Sequence, residues 1–454
     1  MESYRYRVLT SWVNDISAAP HWGGRWPMIE LSDETVGDTL KLIDTAARWG
    51  YNALVSWGLF VAHAWPTDLA RCAPKEHMRK LRVLFDAAAS KGVKLLVGLG
   101  VYSWGFEEIT KACPVVRQGE SIKCWGKIVP HNGDCMCFSQ PDSREWMRRI
   151  VDFIVETTNA PGFQLQPFDR GRCICPQCAS MDDSTYFSAL ICDIAGYIKE
   201  KWPDKLVAVS GWGMSFDRQT NMDAVKRMAS HVDYLSDITN SSLKTGREFR
   251  RQLIAQLPCA FGDSAGCSVT CPQTWDRLRW YLPHVRLNGA FIRTMFEDGG
   301  RASEIFAGPL MNPGTAVSLR ALGALLLDPT LSDEAATEAA VDELYRPLNS
   351  ETRTRLTQIV LHAEQAYFDG PGARHEGDLL FEELTNVCPG PPIYLLGRSG
   401  DVLKNYARAM DDLADQAANY ENAIAEKRIL LNTVTALRNA AGEARKVEAI
   451  AAGI

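Results

Sequence analysis

The chain has 454 residues, of which 46% are hydrophobic and 23% charged, and carries a net charge of −6. This describes a globular protein with a large core and room for two domains, not a disordered chain. The mild acidity and the lack of a basic run argue against a nucleic-acid partner, and no uninterrupted apolar stretch is long enough to span a bilayer.

The amino terminus, Met1-Glu2-Ser3-Tyr4-Arg5-Tyr6, runs straight into a strand pattern without the basic and apolar regions of a secretory leader. The 13 cysteines are odd in number and scattered. A reduced, cytoplasmic protein is therefore expected.

The first strand reads from Arg7 to Val13 and ends in Asn14-Asp15, followed by a loop rich in Trp, Gly and Pro. Ser32 or Asp33 caps a helix with Leu40, Ile43, Ala46 and Ala47 at helical spacing, closed by Gly50. Ala53–Trp57 is a second strand, Lys75–Ser90 a helix stopped by Gly92, and Val93–Leu99 a third strand. From Tyr102 to Gln140 the pattern reads as one long loop, of a length that usually signals function. Pro141 opens a helix through Ile154, with proline at the favoured first position. The fourth strand starts at Gly162, and a helix from Asp183 to Lys201 follows its cysteine-rich loop. Leu206–Ser210, Val232–Leu235 and Cys259–Asp263 supply strands five to seven, and Gly289–Thr294 reads as the eighth. Arg247–Ala255 and Thr274–Leu282 are helical patterns between them. A strongly apolar helix from Thr315 to Leu327 ends at Asp328-Pro329.

Eight strand–helix units over about 320 residues match a (β/α)8 barrel. The expected fold is α/β, a (β/α)8 TIM-type barrel over residues 1–330 with an appended C-terminal helical region over 331–454. That helical region packs on the barrel or mediates a dimer. A doubly wound open sheet is the alternative, weakened because no Gly-rich dinucleotide fingerprint follows the first strand.

In a barrel the C-terminal strand ends face the substrate. This places Asn14 and Asp15, Trp57 and His63, His131 and Asp134, Asp169, Arg170 and Arg172, Trp212, Asp237, Asp263, Arg293 and Glu297 as candidates. The set is rich in carboxylates, arginines and aromatics, while a Walker loop, a His-Glu-x-x-His motif and a nucleophile elbow are missing. Acid–base chemistry on a polar small molecule follows. Asp15 suits a general acid if burial against neighbouring tryptophans raises its pKa, and otherwise caps a turn. His131, in Pro130-His131-Asn132-Gly133-Asp134, suits a general base oriented by Asp134; its alternative is a surface turn. Arg170, Arg172 and Arg293 could grip a carboxylate in bidentate fashion, or pair with nearby acids. Trp57 and Trp212 could pack against a sugar.

Cys173-x-Cys175-x-x-Cys178 has short, ligand-like spacing, and Cys135-x-Cys137 could complete a tetrahedral site if the loops meet. The favoured reading is reduced, buried thiols bracing the fourth-strand loop with no cofactor. A structural zinc is the alternative.

The segment Cys137–Glu145, with the following strand and the loop through Cys178, resembles barrel hydrolases of the hexosaminidase and glucuronidase kind. Those place an Asp-Glu pair after strand four, where this chain has Asp169-Arg170. In layout the chain is more similar to the inverting exo-sialidases of glycoside hydrolase family 156, whose catalytic pair is an Asp after the first strand and a His in the loop after the third. Asp15 and His131 fall on those positions. The resemblance implies an exo-acting sialidase, a homodimer acting on sialylated glycans, and no metal in the chemistry. In that scheme Asp15 is the general acid and His131 the general base, while Asn14, Trp57, Asp134, Asp169, Arg170, Arg172, Trp212 and Arg293 surround the substrate. Two alternatives stand beside it: another exo-glycosidase using Asp169, and a sugar-binding barrel without activity.

Overall fold

The structure, a computed structural model, describes residues 2–12, 31–60, 64–124, 126–167, 171–216, 218–237, 246–263, 278, 280–307, 310–371 and 398–451. Among these, eight parallel strands close into a barrel in the order β1-β11-β10-β9-β8-β6-β3-β2. They are β1 (Tyr6–Trp12), β2 (Ala53–Trp57), β3 (Lys94–Gly100), β6 (Gly162–Gln166), β8 (Leu206–Ser210), β9 (Tyr234–Asp237), β10 (Ala260–Asp263) and β11 (Ala302–Phe306). The three remaining strands, β4 (Ser121–Cys124), β5 (Lys127–Pro130) and β7 (Arg172–Cys173), form a small antiparallel sheet.

The helices between strands are α1 (Asp33–Arg48), α2 (Lys75–Ser90), α3 (Glu107–Ala112), α4 (Pro114–Arg117), α5 (Pro141–Thr157), α6 (Pro176–Ala179), α7 (Asp183–Lys201), α8 (Met222–Ala229), α9 (Arg247–Ile254) and α10 (Val285–Glu297). Their local causes are plain in the sequence. Ser32 caps α1 by accepting from the Thr35 amide, and Asp182 caps α7 through Thr185. Leu42, Ile43 and Ala46 supply the buried stripe of α1.

Two sequence expectations are corrected. Residues 289–294 are not a strand but the middle of α10, whose buried residues Val285, Asn288, Gly289, Ile292 and Met295 recur at helical spacing. The eighth barrel strand is β11. The stretch from Tyr102 to Gln140 is not one open loop either, since it folds into α3, α4, β4 and β5. The expected helix over 274–282 falls largely outside the described residues.

The chain divides into two compact units. One, Arg5–Asp263 with Asp298–Glu304, holds the barrel strands up to Glu304 of β11. The other comprises Met1–Tyr4, Ser264–Glu297 and Ile305–Ile454. Besides α10 it contains α11 (Pro313–Leu327), α12 (Asp333–Tyr345), α13 (Ser350–Asp369), α14 (Gly400–Ala418) and α15 (Lys427–Ala451). Its core includes Trp280, stacked on Tyr406 at 5.8 Å and edge-on to Tyr367 at 6.5 Å. Among the described residues, no helix is long and apolar enough to cross a membrane.

The barrel interior changes character along its axis. Side chains two apart share a face of a strand. Tyr6 and Val8 of β1, Ala53 and Val55 of β2, Leu96 of β3, Leu206 and Ala208 of β8, Tyr234 of β9 and Ala302 of β11 form an apolar core. The same inward series continues toward the strand ends as Thr10, Gln164, Ser210, Ser236 and Glu304, all buried. Apolar filling therefore gives way to polar groups at the C-terminal half, the end where barrel enzymes carry their sites.

Candidate active site at the C-terminal end of the barrel

At the centre of this polar layer is Glu304, 5% exposed. Its carboxylate accepts from the side-chain amide of Gln164. The two residues belong to β11 and β6, which lie opposite each other in the closed order. Burial raises the Glu304 pKa above the ordinary carboxylate value, while Gln164, Ser236 and Thr10 favour the charged form without cancelling that effect. Gln164 Oε1 is itself buried, with no hydrogen-bond partner among the described residues.

Thr10 extends the layer by accepting from Trp57 Nε1 at 3.2 Å. Trp57 is held by a backbone choice on β3: a Cβ at Gly98 would collide with its indole, and one at Gly100 would collide with Trp104. These glycines leave room for two indoles with ring centroids 6.0 Å apart. Beside Trp104 lies a small recess of about 10 Å³, lined by Phe60, Trp65, Gly98, Gly100 and Trp104. Trp57 is thus placed in the interior layer, 3% exposed.

His131 follows β5 and is buried, in contrast to the surface-turn alternative. Its backbone N–H donates to the Glu120 carbonyl, and Arg117 on α4 donates to its carbonyl oxygen. The Gly133 amide donates to Nδ1 at 2.8 Å. An Nδ1 that accepts a hydrogen bond bears no proton, so the neutral ring carries its proton on Nε2. Nε2 is buried and has no partner at hydrogen-bonding geometry among the described residues. The pKa is lowered, first by burial and then by the Arg117 charge; the backbone of Cys135, the Asp134 carboxylate and the backbone of Arg117 pull weakly the other way. Asp134 itself pairs with the Asn132 side-chain amide. The tautomer is set by Gly133, where the sequence pointed to Asp134.

The other candidates separate. Asn14, Asp15, His63, Asp169 and Arg170 lie outside the described residues. Arg172 is committed to structure: it pairs with Asp183 at 2.7 Å, donates to the Cys178 and Met181 carbonyls and lies over the Tyr186 ring. With 5% side-chain exposure, it is not a substrate clamp. Arg293 is not at a strand end but on α10, where it pairs with Asp333 at 2.5 Å and donates to the Leu331 carbonyl. Glu297 closes the same helix. Trp212 directly follows β8, half-buried. Asp237 and Asp263 are register partners at the ends of β9 and β10, both buried, with Asp237 accepting from the Phe216 amide at 3.1 Å.

Glu304 and Gln164 are the residues sequence reading did not single out. Displacing the eighth strand onto residues 289–294 removed Glu304 from the strand ends. An acid at an inward position of a short apolar strand was the available signal.

The cysteines do converge. Cys137, Cys173, Cys175 and Cys178 are buried, with their Sγ atoms all within 4.8 Å of one another. Such a set could hold a metal ion.

Comparison with known proteins gives a likeness of fold. The chain is similar to a GH138 enzyme targeting pectin rhamnogalacturonan II, with a TM-score of 0.61 and 11% identity over 99% of this chain and 59% of that one. It therefore spans under two thirds of that enzyme's length. It is also similar to a mutant of the Thermobaculum terrenum O-GlcNAc hydrolase, with a TM-score of 0.50 and 10% identity over 92% of this chain and 78% of that one. No family model matches the chain, and no curated protein matches it.

Proposed function

We propose that this chain is a glycoside hydrolase working at the C-terminal mouth of its barrel, and that it removes terminal sialic acid with inversion. The observation that carries the hydrolase reading is the buried polar layer of Glu304, Gln164, Ser236 and Thr10, with Trp57 bonded to Thr10. A barrel interior serving stability alone would stay apolar to its rim, because buried polar groups cost free energy unless paired. The fold shared with the GH138 enzyme and the O-GlcNAc hydrolase supports carbohydrate as the substrate class.

Sialic acid supports the finer assignment on chemical grounds. Its anomeric carbon bears a carboxylate, which repels a carboxylate base or nucleophile, whereas a neutral imidazole carries no such penalty. His131, kept neutral by burial, meets that requirement. In this scheme Asp15 protonates the leaving oxygen and His131 takes a proton from the attacking water. The ring must first move its own proton from Nε2 to Nδ1, giving up the bond from Gly133.

One observation favours a second reading. Glu304 is a buried carboxyl with a raised pKa, the property a general acid needs at neutral pH. It suits hydrolysis of a glycoside that lacks a carboxylate at the anomeric carbon. A panel of fluorogenic α-sialosides, uronides and hexosaminides separates the two. Turnover of α-sialosides that is lost in Asp15→Ala and His131→Ala supports the first. Turnover confined to other glycosides and lost in Glu304→Gln supports the second and refutes the first.

A further inference from the structure

We propose that Cys137, Cys173, Cys175 and Cys178 form a tetrathiolate zinc site that ties the loop after β3 to the loop after β6. Cys137 is remote in sequence from the other three, yet its Sγ lies 3.7 Å from that of Cys175 and 3.8 Å from that of Cys178. A tetrahedron with Zn–S bonds of about 2.3 Å has edges of about 3.8 Å. The same separations are far too long for a disulfide, whose S–S bond is about 2.05 Å. All four residues are free cysteines and buried.

Selection among the neighbouring thiols points the same way. Cys135 is also buried, but its thiol donates to the Ser103 and Gly171 carbonyls at 3.3 and 3.5 Å, which satisfies it outside the cluster. Three of the four that converge receive donors from neighbouring groups, and the Cys173 thiol also donates to the Gln118 carbonyl at 3.4 Å. The Cys175 amide points at Cys173 Sγ at 3.4 Å, and the Cys178 amide at Cys175 Sγ at 3.5 Å. The Ser139 hydroxyl lies 3.0 Å from Cys137 Sγ and 3.5 Å from Cys175 Sγ. Backbone N–H and hydroxyl donors aimed at sulfur stabilise thiolates, the form that binds metal. The buried Arg172 guanidinium, bonded to the Cys178 carbonyl, places positive charge beside a site that would carry two net negative charges.

The ion's role follows from its ligand count. Four protein thiolates leave no open position for water or substrate, so the zinc is structural. Each thiol releases its proton to solvent as the metal binds. The segment the zinc would fix on one side runs from His131 to Cys137; on the other it is the loop entered from β6. The two already meet where the Cys135 thiol donates to the Gly171 carbonyl at 3.5 Å.

The test is metal analysis of the purified protein together with thiol titration of the folded protein. Zinc at one per chain, released in step with modification of four thiols by a mercurial, is the expected result. Cobalt in its place should give a thiolate charge-transfer band and the intense visible bands of tetrahedral Co(II). Cys135→Ser should keep the metal, and Cys178→Ser should lose it. If Cys178→Ser does not fold, the mercurial titration and the cobalt spectrum of the unaltered protein still decide. Protein grown with added zinc that holds only traces, or cobalt bound without a thiolate band, would overturn the site.

Discussion

Gln164 donates its side-chain amide to Glu304 across the barrel interior, joining strands β6 and β11 that no backbone ladder connects. The bond favours the charged carboxylate, but burial in the packed core outweighs it and raises the Glu304 pKa. Stability should respond to pH accordingly. The folded pKa of Glu304 is raised, so between the ordinary Glu value of about 4.3 and the folded value the native state holds more protons than the unfolded chain. This stability is full below about 4.3 and is lost as pH rises through the folded pKa. Glu304→Gln, which keeps an acceptor for Gln164, should flatten that loss in urea titrations. Glu304→Ala should cost about 1–3 kcal/mol by leaving the Gln164 amide unpaired.

His131 makes a prediction about tautomer as well as pKa. With Nδ1 accepting from Gly133, the resting ring should show a protonated Nε2 in long-range proton–nitrogen correlation spectra, assigned by the loss of its signals in His131→Gln. Because its folded pKa is lowered, its titration should fall below the ordinary value of about 6.5. The unfolded chain then binds more protons, so the stability this group contributes declines as pH falls below about 6.5. A titration above that value would contradict the burial that keeps the imidazole neutral.

The glycines of β3 are spacers for tryptophan. Gly98→Ala sets a methyl against the Trp57 indole inside the barrel, where overpacking costs about 1–3 kcal/mol. A lower denaturation midpoint with a shifted tryptophan emission is the expected pair of changes. An unaltered emission would mean that Trp57 does not depend on that space.

Asp298 is a structural anchor of the barrel unit. Its fully buried carboxylate meets Arg247 at 2.7 Å, Arg251 at 2.8 Å and the buried Arg250. Burial alone would raise its pKa, but the bonds and charges of Arg247 and Arg250 outweigh it and the net shift is downward. The stability it supplies is present above the ordinary Asp pKa of about 3.9 and is lost as pH falls through the lower folded value. Asp298→Asn removes the buried negative charge that Arg247, Arg250 and Arg251 pair with and should cost about 3–5 kcal/mol. Thermal melts of the variant and the parent at neutral pH measure it.

Much of the barrel was legible because its strands are short apolar runs bounded by glycine, proline and capping residues. Ala53–Trp57 and Leu206–Ser210 stand where their patterns place them, as do the helices Lys75–Ser90 and Asp183–Lys201. The failure at the eighth strand has a physical cause. Gly289–Thr294 offers a short apolar run that fits a strand or a buried helix equally well. Ala302–Phe306 hides its strand character behind the inward Glu304. The carboxyl obscured the signal there, since an acid in the core breaks the apolar pattern. The cysteine spacing revealed three partners, but only folding brings Cys137 to them. Arg172 and Arg293 illustrate the converse: an arginine in a suggestive stretch can be wholly engaged by its own neighbours.

Hydrolysis of an α-sialoside, followed by proton NMR from the first turnover, tests the proposed inverting sialidase most directly. The prediction is release of sialic acid as the β-anomer, with the α-anomer appearing only later through mutarotation. No hydrolysis of any α-sialoside, or the α-anomer appearing first, would contradict it.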